Sequence, residues 1–436
     1  MKKVLIITYY WPPSGGAGVQ RWLKFVKYLR EFGWEPIVYT PENPEAPAVD
    51  ESLLKDIPRN LTVIKRPIWE PYNLYKNFIG QKKDEKINAG FLTEKKKPGL
   101  AEKISVWVRG NWFIPDARKF WIKPSIKFLS DYLKRNPVDT IISTGPPHSM
   151  HLIALGLKKK LNLPWLADFR DPWTNIDFYD KLMLTKASDV KHKKMELDVL
   201  KNANIITAIG WSMADDLKKI CNRKIEVITN GYDEDDFSKN VVAPDSKFSI
   251  SHIGAMNSDR NPKALWSALE ELLKENKDLQ SDLKINFIGK VDYSVFDDLE
   301  NLGLTKYVTK TEYLLHSQVT EEMCSSQILL LALNNTPNTL GVISGKLFEY
   351  IAARRPILAI GREEGDAARI IHETETGVIC NFSDKEKMKA EIKKMYSLYK
   401  EKKLLVSEKN IVQYSRMQKT KILSSLLNSI TKAGSH

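Results

Sequence analysis

The stretch SGKLFEYIAARRPILAIG, residues 344–361, is the part of this sequence that decides its fold class. A polar loop over residues 336–343 precedes it, and the spacing of apolar residues predicts a helix that begins near Gly345. The apolar run that follows predicts a short buried strand over residues 356–360. A helix that passes directly into a fully apolar strand is typical of an α/β protein, in which helices cover a parallel sheet.

The same alternation of strands and helices runs through both halves of the chain. In the first half, the predicted strands lie at residues 4–8, 36–39, 61–64, 140–143, 164–167, 204–208 and 226–228. In the second half, they lie at residues 248–253, 284–288, 328–333, 356–360 and 377–380. This rhythm predicts two Rossmann-like domains, each built on a doubly wound parallel sheet.

A polar linker between the two sets of strands sets the predicted domain boundaries. We expect an N-terminal domain at residues 1–240, interrupted at about 69–118 by an insertion rich in Lys, Trp and Gly. A second domain is expected at 247–410, and the leucine spacing near the end predicts a final amphipathic helix within 411–436. A length of 436 residues agrees with two domains, because single cores stop growing well below that size.

The composition is that of a soluble globular protein, with 42% hydrophobic and 28% charged residues. No window approaches the roughly 18–20 apolar residues of a membrane span. The opening run MKKVLII, residues 1–7, indicates a buried strand rather than a signal peptide. Three widely separated cysteines provide neither metal-ligand spacing nor a disulfide framework. We therefore expect a cytoplasmic protein.

The charge balance is strongly basic, with 67 Lys and Arg residues against 54 Asp and Glu residues, a net charge of +13. Such an excess favours anionic partners, but no nucleic-acid-binding signature is present. Residues 95–135 hold eleven basic and three acidic residues together with Trp107, Trp112 and Trp121. This combination predicts docking on an anionic membrane surface. The alternative is that the apolar stripes of the segment face the core while its lysines are solvated.

The first turn of the helix near Gly345 has the chemistry of an anion site. Free N–H groups and the positive end of the helix dipole attract phosphate, and Lys346 adds a positive charge. Glu349 can accept hydrogen bonds from ribose hydroxyls. The alternative is an ordinary amphipathic helix that turns Leu347 and Tyr350 toward the core.

A second anion-binding candidate is the glycine-rich loop PPSGGAGVQR, residues 12–21, between the first strand and the first helix. Gly15, Gly16 and Gly18 allow the backbone to approach a phosphate or a sugar closely. The loop matches neither the dinucleotide fingerprint nor a Walker loop, so its pattern alone is not specific.

In the second domain, the segment SHIGAMNSDRNPK, residues 251–263, again places a glycine loop between a strand and a helix. Gly254 lets the backbone turn, and Arg260 can hold a phosphate through two parallel hydrogen bonds.

Two loops of the first domain, STGPPHSMH from residue 143 and LADFRDPW from residue 166, both follow predicted strands. They contain five ionisable side chains: His148, His151, Asp168, Arg170 and Asp171. A carboxylate or an imidazole there can orient the hydroxyl of a second substrate, here called the acceptor, or take its proton. Asp171 and His148 are the favoured catalytic candidates. His151, Asp168 and Arg170 are assigned to the acceptor side. The alternative for Asp168 and Arg170 is that they pair with each other or with the loop.

Taken in order, these segments resemble retaining glycosyltransferase family 4, enzymes of the GT-B fold, and in particular members that act in surface-polysaccharide assembly. The resemblance covers nearly the whole chain. It implies two Rossmann-like domains facing a central cleft, with the C-terminal helix crossing back to the first domain. It implies donor-binding roles for Gly15, Gly16, Gly18, Gly254, Arg260, Tyr313, Lys346 and Glu349.

Two positions depart from the family pattern. A glutamate that usually lies eight residues before Glu349 is Gly341 in this chain, so the usual marker of sugar specificity is missing. The arginine that usually follows the glycine at 254 is Ala255. One phosphate contact is then missing, or Arg21 or Lys346 supplies it.

The resemblance implies transfer of a sugar, with retention, from a nucleoside diphosphate sugar to a hydroxyl acceptor. The donor is expected to be linked to uridine diphosphate (UDP), and the acceptor to be lipid-linked or a growing surface polysaccharide. No metal or other cofactor is expected. Two alternatives are a nucleotide-sugar epimerase of GT-B fold and a catalytically silent protein that binds a nucleotide-sugar. Docking on an anionic membrane surface would give this protein a peripheral location on the inner face of the plasma membrane.

Overall fold

The computed structural model describes residues 1–45, 48–70, 100–237, 242–312, 314, 316–336 and 339–432. The chain divides into two compact units. Unit 1 comprises Met1–Thr229 together with Lys419–His436, and unit 2 comprises Asn230–Gln418. Of the predicted insertion at 69–118, residues 71–99 lie outside the described residues.

Unit 1 is built on a parallel sheet of seven strands in the order β3-β2-β1-β4-β5-β6-β7. The strands are β1 (Lys2–Ile7), β2 (Trp34–Pro41), β3 (Thr62–Arg66), β4 (Thr140–Gly145), β5 (Trp165–Phe169), β6 (Ile205–Ala208) and β7 (Glu226–Val227). The helices are α1 (Ala17–Leu29), α2 (Leu100–Trp112), α3 (Lys119–Arg135), α4 (Ser149–Leu161), α5 (Lys186–Asn202) and α6 (Trp211–Cys221).

The central strands of unit 1 are apolar on both faces because helices cover both sides of the sheet. Along β1, Leu5 and Ile7 join one buried cluster, whereas Val4 and Ile6 join the cluster on the opposite face. Successive side chains of a strand point to opposite faces, so a continuous apolar run is what a doubly covered strand needs.

Helix α3 settles one of the alternatives left open by its sequence. Its Trp121, Leu129 and Leu133 are buried in the core cluster, and Ile122 and Ile126 pack against that cluster. The apolar stripe of α3 therefore faces the core and is unavailable to a membrane.

Unit 2 is built on a parallel sheet of six strands in the order β10-β9-β8-β11-β12-β13. The strands are β8 (Phe248–Ile253), β9 (Leu283–Ile288), β10 (Val308–Thr311), β11 (Ile328–Ala332), β12 (Ile357–Ile360) and β13 (Gly377–Cys380). The helices are α7 (Lys263–Glu275), α8 (Lys277–Asp282), α9 (Tyr293–Asn301), α10 (His316–Ser325), α11 (Gly345–Ala352), α12 (Asp366–Thr374) and α13 (Lys385–Lys400). The prediction of two Rossmann-like parallel-sheet domains is confirmed.

The last helix, α14 (Arg416–Lys432), belongs to unit 1 from Lys419 onward. Its Leu423 and Leu427 are buried in the cluster that contains Val4. None of the helices in the described ranges is long and apolar enough to cross a membrane.

The strand order reverses direction once in each sheet, between β1 and β4 and between β8 and β11. Ligands of open α/β sheets bind beyond the carboxyl ends of the strands at such a reversal. The glycine-rich loop follows β1, the loop of His148 follows β4, and the loop of Gly254 follows β8. The loop after β11 leads into α11. The fold thus brings the predicted segments to the two reversal points, each within its own unit.

Candidate functional site

The glycine-rich loop of unit 1 turns tightly ahead of α1. Gly16 has a φ of +103°, a conformation that side-chain-bearing residues rarely adopt. The N–H of Gly15 donates to the carbonyl of Ala48 at 2.9 Å, which ties the loop to the segment after β2.

Asp168 lies in a buried hydrogen-bond network rather than at a surface, with 1% of its side chain exposed. Its donors are Arg21 Nη2 (2.8 Å) and Nε (3.2 Å), Trp22 Nε1 (2.9 Å), Thr144 Oγ1 (2.9 Å) and Thr207 Oγ1 (2.9 Å). Burial alone would raise the pKa of Asp168, but Arg21 and the hydrogen bonds hold it below its ordinary value. These contacts suit a structural ion pair that joins α1, β4, β5 and β6. They leave the carboxylate buried, where it does not reach the acceptor substrate for which the sequence proposed it.

Arg21 is the partner of Asp168, a pairing that the sequence did not predict. Its Nη1 donates to the carbonyl of Thr229 at 3.1 Å, and its side chain is 1% exposed. The suggestion that Arg21 supplies a phosphate contact in place of the residue at 255 is therefore wrong, because its guanidinium is buried and committed within unit 1.

Arg170 contacts the loop, as one alternative held, but it does not hydrogen-bond to Asp168. Its Nη2 donates to the carbonyl of Pro146, and its backbone N–H donates to the carbonyl of Gly145 at 2.8 Å. A β-carbon added to Gly18 would lie 1.9 Å from Nη1 of Arg170. The glycine at 18 is therefore what allows the guanidinium to lie against the glycine-rich loop.

The protonation of His151 follows from its neighbours. The indole N–H of Trp165 donates to Ser143 Oγ at 2.9 Å, and that hydroxyl lies 2.8 Å from His151 Nδ1. Ser143 Oγ accepts from the indole and keeps its own proton available for Nδ1, and in that arrangement the ring carries its proton on Nε2. Burial, partly offset by the negative charge of Asp168, lowers the pKa of His151 to about 3, so the ring is neutral.

His148 precedes the first turn of α4 and stacks on Trp173, with ring centroids 4.5 Å apart and planes 4° apart. Burial, followed by the neighbouring His151, holds the pKa of His148 well below 6.5. Asp116 caps α4, because its carboxylate accepts from the N–H (2.9 Å) and the hydroxyl (2.8 Å) of Ser149. Stacking and capping together orient a neutral imidazole.

Three buried nitrogen atoms in the loops after β4 and β5 and the first turn of α4 have no hydrogen-bond partner among the described residues: His148 Nδ1, His151 Nε2 and Arg170 Nε. A β-carbon at Gly145 would lie 2.6 Å from His151 Nε2 and 3.0 Å from His148 Nδ1. The absence of a side chain at Gly145 leaves space between the two imidazoles. Unpaired buried polar atoms are costly, so they favour a polar ligand or a water molecule at this point.

Asp171 is exposed, unlike the four other ionisable residues of these loops. Loss of hydration among the surrounding protein atoms raises the pKa of its carboxyl, and this effect outweighs the opposing charge of Arg170. Asp177 adds to the increase. An accessible carboxylate with a raised pKa is suited to exchange a proton with a ligand hydroxyl.

In unit 2, Lys346 lies across Gly254, which has a φ of +101°. A β-carbon at Gly254 would lie 2.6 Å from both Cε and Nζ of Lys346. The ammonium is 3.3 Å from the carbonyl oxygen of Ala255 and 3.3 Å from His252 Nε2. Burial, followed by the charge of Arg260, lowers the pKa of Lys346 to about 8, although Glu349 opposes this.

Arg260 contacts the same carbonyl as Lys346. Its Nη1 lies 3.3 Å from the oxygen of Ala255, and its Nε donates to Asn334 Oδ1 at 2.6 Å. Burial lowers the pKa of the guanidinium below its ordinary value. Arg260 and Lys346 therefore converge on one oxygen atom, and their shared binding of an anion stays a prediction.

Helix α11 begins after Ser344, whose side chain makes no capping hydrogen bond. Lys346 and the half-buried Glu349 lie on its first two turns, whereas Leu347 and Tyr350 are buried. The hydroxyl of Tyr350 accepts from the N–H of Ile253 at 3.1 Å and thereby fixes α11 against the end of β8. One face of α11 packs in the core, as the alternative held, and Lys346 in its first turn lies beside Gly254, while binding of an anion there stays a prediction.

Tyr313, the remaining donor-side candidate, lies outside the described residues. Gly341 ends a short 3-10 turn at Thr339–Gly341 ahead of α11. Within the described ranges, no group of His, Cys, Asp and Glu residues is arranged to hold a metal ion.

Sequence reasoning missed His252, Trp173 and the pairing of Arg21 with Asp168. His252 is the one titratable residue in a strand that otherwise consists of apolar residues and serines, which is the signal that would have pointed to it. Arg21 gave no such signal, because its partner Asp168 is 147 positions away in the sequence.

Residues 247–397 match the family model for glycosyl transferases group 1. The matched residues all lie within unit 2. No protein of curated function matches the sequence.

Solved structures similar to this chain cover nearly its whole length. Sucrose-phosphate synthase from Thermosynechococcus elongatus superposes with a TM-score of 0.59 at 11% identity, covering 99% of this chain and 100% of that chain. Anabaena HepE in complex with UDP-glucose gives a TM-score of 0.58 at 10% identity, covering 98% of this chain and 100% of that chain. A putative UDP-N-acetylglucosamine 2-epimerase from Listeria monocytogenes gives a TM-score of 0.54 at 11% identity, covering 98% of this chain and 96% of that chain. At these identities the likeness establishes the GT-B fold, which transferases and an epimerase share.

Proposed function

We propose that this glycosyltransferase moves a sugar, with retention at the anomeric carbon, from a UDP-sugar to a hydroxyl group. The acceptor is a lipid-linked saccharide or a growing surface polysaccharide. One observation carries the donor part of the proposal: Lys346 and Arg260 meet at the carbonyl oxygen of Ala255, beside the first turn of α11.

Two cations held this close repel each other, and their repulsion is part of what lowers the pKa of Lys346. A diphosphate placed between them would relieve that repulsion and would also meet the free N–H groups of α11. The similar Anabaena HepE structure holds UDP-glucose, which supports UDP as the carrier. The site is therefore suited to a nucleoside diphosphate.

In the transfer, the bond between the anomeric carbon and the diphosphate oxygen breaks, and its electron pair leaves on the diphosphate. The acceptor oxygen forms the new bond as its hydroxyl proton is lost. Negative charge develops on the leaving group, so Lys346, Arg260 and the N-terminus of α11 would stabilise the transition state. In unit 1, Asp171 and His148 are the residues that we propose for orienting the acceptor hydroxyl and receiving its proton.

We further propose that transfer needs no metal ion, because two side-chain cations and a helix end supply the positive charge that the diphosphate requires. Activity that is unchanged by a chelator would support this, and activity restored only by a divalent cation would contradict it.

The test is UDP release by the full chain from a panel of UDP-sugars, with and without a polyprenyl-diphosphate-linked saccharide. Release that requires the acceptor supports the transferase, and NMR of the product reports whether the anomeric configuration is retained. Interconversion of the donor sugar without an acceptor would indicate an epimerase. Donor binding without any turnover would indicate a silent binding protein. Lys346→Ala should abolish release, whereas Lys274→Ala, a change to an exposed lysine of the same unit, should not.

We also propose that unit 1 docks on an anionic membrane. Eight of the seventeen exposed large hydrophobic residues within the described ranges belong to one region, which we call the aromatic–basic surface. They are Trp69, Ile104, Trp107, Trp112, Phe120, Phe178, Met183 and Val190.

Contacts show that the elements of the aromatic–basic surface adjoin one another. Trp69 and Phe120 have ring centroids 4.9 Å apart. Asn111 at the end of α2 accepts from the N–H of Thr185 at 2.7 Å and donates to the carbonyl of Met183 at 3.1 Å. Helix α2, the start of α3 and the loop before α5 therefore form one continuous region of unit 1.

The charge of this region favours anionic lipid. Residues 103–120 and 176–194 hold nine basic and four acidic side chains. Burial and the nearby Lys191 lower the pKa of Lys119, which shows that cations from α3 and α5 lie close together. Exposed aromatic side chains among lysines suit the lipid–water interface, where rings enter the headgroup layer and ammonium groups meet phosphates. Docking there would bring the enzyme to a lipid-linked acceptor.

A further inference from the structure

His252 is a buried histidine next to the last residue of β8, and its side chain is 1% exposed. Its Nδ1 lies 3.1 Å from the carbonyl oxygen of Leu330, whereas its Nε2 lies 3.5 Å from that of Ala255, so the shorter contact favours the proton on Nδ1, since a carbonyl only accepts. Burial, followed by the positive charge of Lys346, lowers the pKa of His252 to about 3. The ring is therefore neutral, with an unprotonated Nε2.

That Nε2 is the atom that faces Lys346, at 3.3 Å from Nζ. The tautomer set by Leu330 leaves a lone pair in the one direction where an ammonium group lies. The other acceptor of the ammonium is the carbonyl of Ala255, which Arg260 also uses. Without His252, Lys346 would share its single described acceptor with a second cation.

We propose that His252 is the positioning residue for Lys346: its unprotonated Nε2 holds the ammonium over Gly254, beside the first turn of α11, where the leaving diphosphate is received. This inference rests on the proposed donor site and deepens it. It explains how Lys346, beside Arg260, keeps its charge and its orientation toward the donor site before the ligand binds. The family resemblance assigns no role to this position.

Three other charged or titratable groups surround this contact. Arg260, on the loop after β8, opposes the charge of Lys346, and Glu349, one turn further along α11, favours it. Tyr350 hydrogen-bonds to the backbone of Ile253 and faces Glu349. Because the charge of Glu349 and the lone pair of His252 both favour the ammonium, removing either should lower the pKa of Lys346 below its value of about 8.

Two measurements test the proposal, and the first needs no nucleotide. Competitive acetylation followed by mass spectrometry gives the pH midpoint of the Lys346 amine in the ligand-free full chain. His252→Leu should lower that midpoint by on the order of one pH unit, because a hydrogen bond to a charged group is lost. His252→Gln keeps a donor for Leu330 and an acceptor for Lys346, and it should restore most of the shift.

The second measurement is UDP affinity between pH 7 and 9.5, where the phosphate ionisation near pH 6 is complete. Affinity should be flat below the midpoint of Lys346 and should fall above it, with proton uptake on binding. In His252→Leu the fall should begin at lower pH.

An unchanged midpoint in His252→Leu, with the fold intact by circular dichroism, would overturn the positioning role. An equal shift in both variants would also overturn it, because it would indicate a general packing effect. A wild-type protein with the expected midpoint but no affinity for UDP would refute the proposed function and leave the role of His252 standing.

Discussion

Gly18 lies directly against the guanidinium of Arg170, so that a β-carbon on Gly18 would fall 1.9 Å from Nη1. The contact joins the first turn of α1, which follows the glycine-rich loop, to the loop after β5, across the strand β4 that separates β1 and β5 in the sheet. It places a buried cation beside the backbone of the glycine-rich loop. The orientation of Arg170 therefore depends on the residue at position 18.

Gly18→Ala should displace Arg170 from the carbonyl of Pro146 while leaving the chain folded, because the atom that it meets is the end of a flexible side chain. A displacement near 1 Å at a reacting site can cost on the order of a hundredfold in rate. We expect turnover to fall at least about tenfold, with a modest decrease in melting temperature. Initial rates and thermal unfolding check this.

The matched control is a double-mutant cycle with Arg170→Ala. If the clash is the cause, Gly18→Ala should cost little further activity once Arg170 is removed. Full additivity of the two changes would show that alanine at position 18 acts on the loop itself.

Glu349→Ala should weaken UDP binding by roughly tenfold to a hundredfold, since hydrogen bonds to a charged group contribute about 1.5–3 kcal/mol. The same change removes the negative charge that favours the ammonium of Lys346. Calorimetry with UDP measures the loss. Glu364→Ala, at an exposed glutamate of the same unit, is the control and should bind normally. Equal affinities for the two variants would remove Glu349 from the donor site.

The fold followed from the sequence because its strands are short apolar runs with helices between them. The strand at Ile357–Ile360 was predicted almost to the residue, since the preceding Pro356 and the following Gly361 limit it. Pairing of parallel strands needs helices on both faces, so the pattern of one element constrains its neighbours.

The candidate site was less predictable because its contacts join distant parts of the chain. The pairing of Asp168 with Arg21 spans 147 positions, and that of His252 with Lys346 spans 94. Local pattern identifies a loop after a strand, but only the packed sheet shows which side chain reaches a surface. Asp168 and Asp171 are three residues apart, yet one is buried in an ion pair and the other is exposed.

Asp171→Asn should reduce turnover at saturating donor and leave donor affinity unchanged, because an amide cannot take a proton from a hydroxyl. General base catalysis typically contributes about a hundredfold to ten-thousandfold, and a loss in that range is expected. Both kcat and the donor KM must be measured. Asp180→Asn, at an exposed aspartate of the following loop, is the control. A collapse of donor affinity with unchanged turnover would place Asp171 in the donor site.

The buried neutral histidines should make the protein sensitive to mild acid. The pKa of His151 is about 3 in the folded chain against 6.5 for an ordinary histidine. Below pH 6.5 the unfolded chain binds a proton that the folded chain does not, so stability is lost as pH falls from 6.5 toward 3. This loss is up to about 1.4 kcal/mol per pH unit for each such histidine.

His151→Gln should therefore lose less stability than the wild type between pH 7.5 and 5.5, when each protein is compared with its own value at pH 7.5. Urea unfolding at the two pH values measures this. His372→Gln, which changes an exposed histidine, should follow the wild type. Identical pH dependence in all three proteins would mean that His151 is protonated in the folded chain.

The aromatic–basic surface of unit 1 should bind anionic vesicles, and its two components can be separated. Reversal of the exposed Lys181, Lys186 and Lys191 to glutamate should weaken binding steeply at low salt and less at high salt. Each basic residue near the surface contributes about 1 kcal/mol, and salt screens that attraction within a Debye length of about 10 Å at 0.1 M. Trp112→Ser should instead weaken binding at every salt concentration, because the loss of ring burial is not screened.

The control for the lysine reversals makes the same charge change in unit 2, at the exposed Lys393, Lys394 and Lys402. Sedimentation with phosphatidylserine-containing vesicles and with purely zwitterionic vesicles measures all four proteins. If both triple variants lose binding equally, net charge rather than a defined surface drives the association. If the wild type shows no preference for anionic vesicles, unit 1 does not dock through charge, and the acceptor must reach the enzyme without it. UDP release from a water-soluble acceptor analogue should be the same in all four proteins, because none of these changes lies in the donor site.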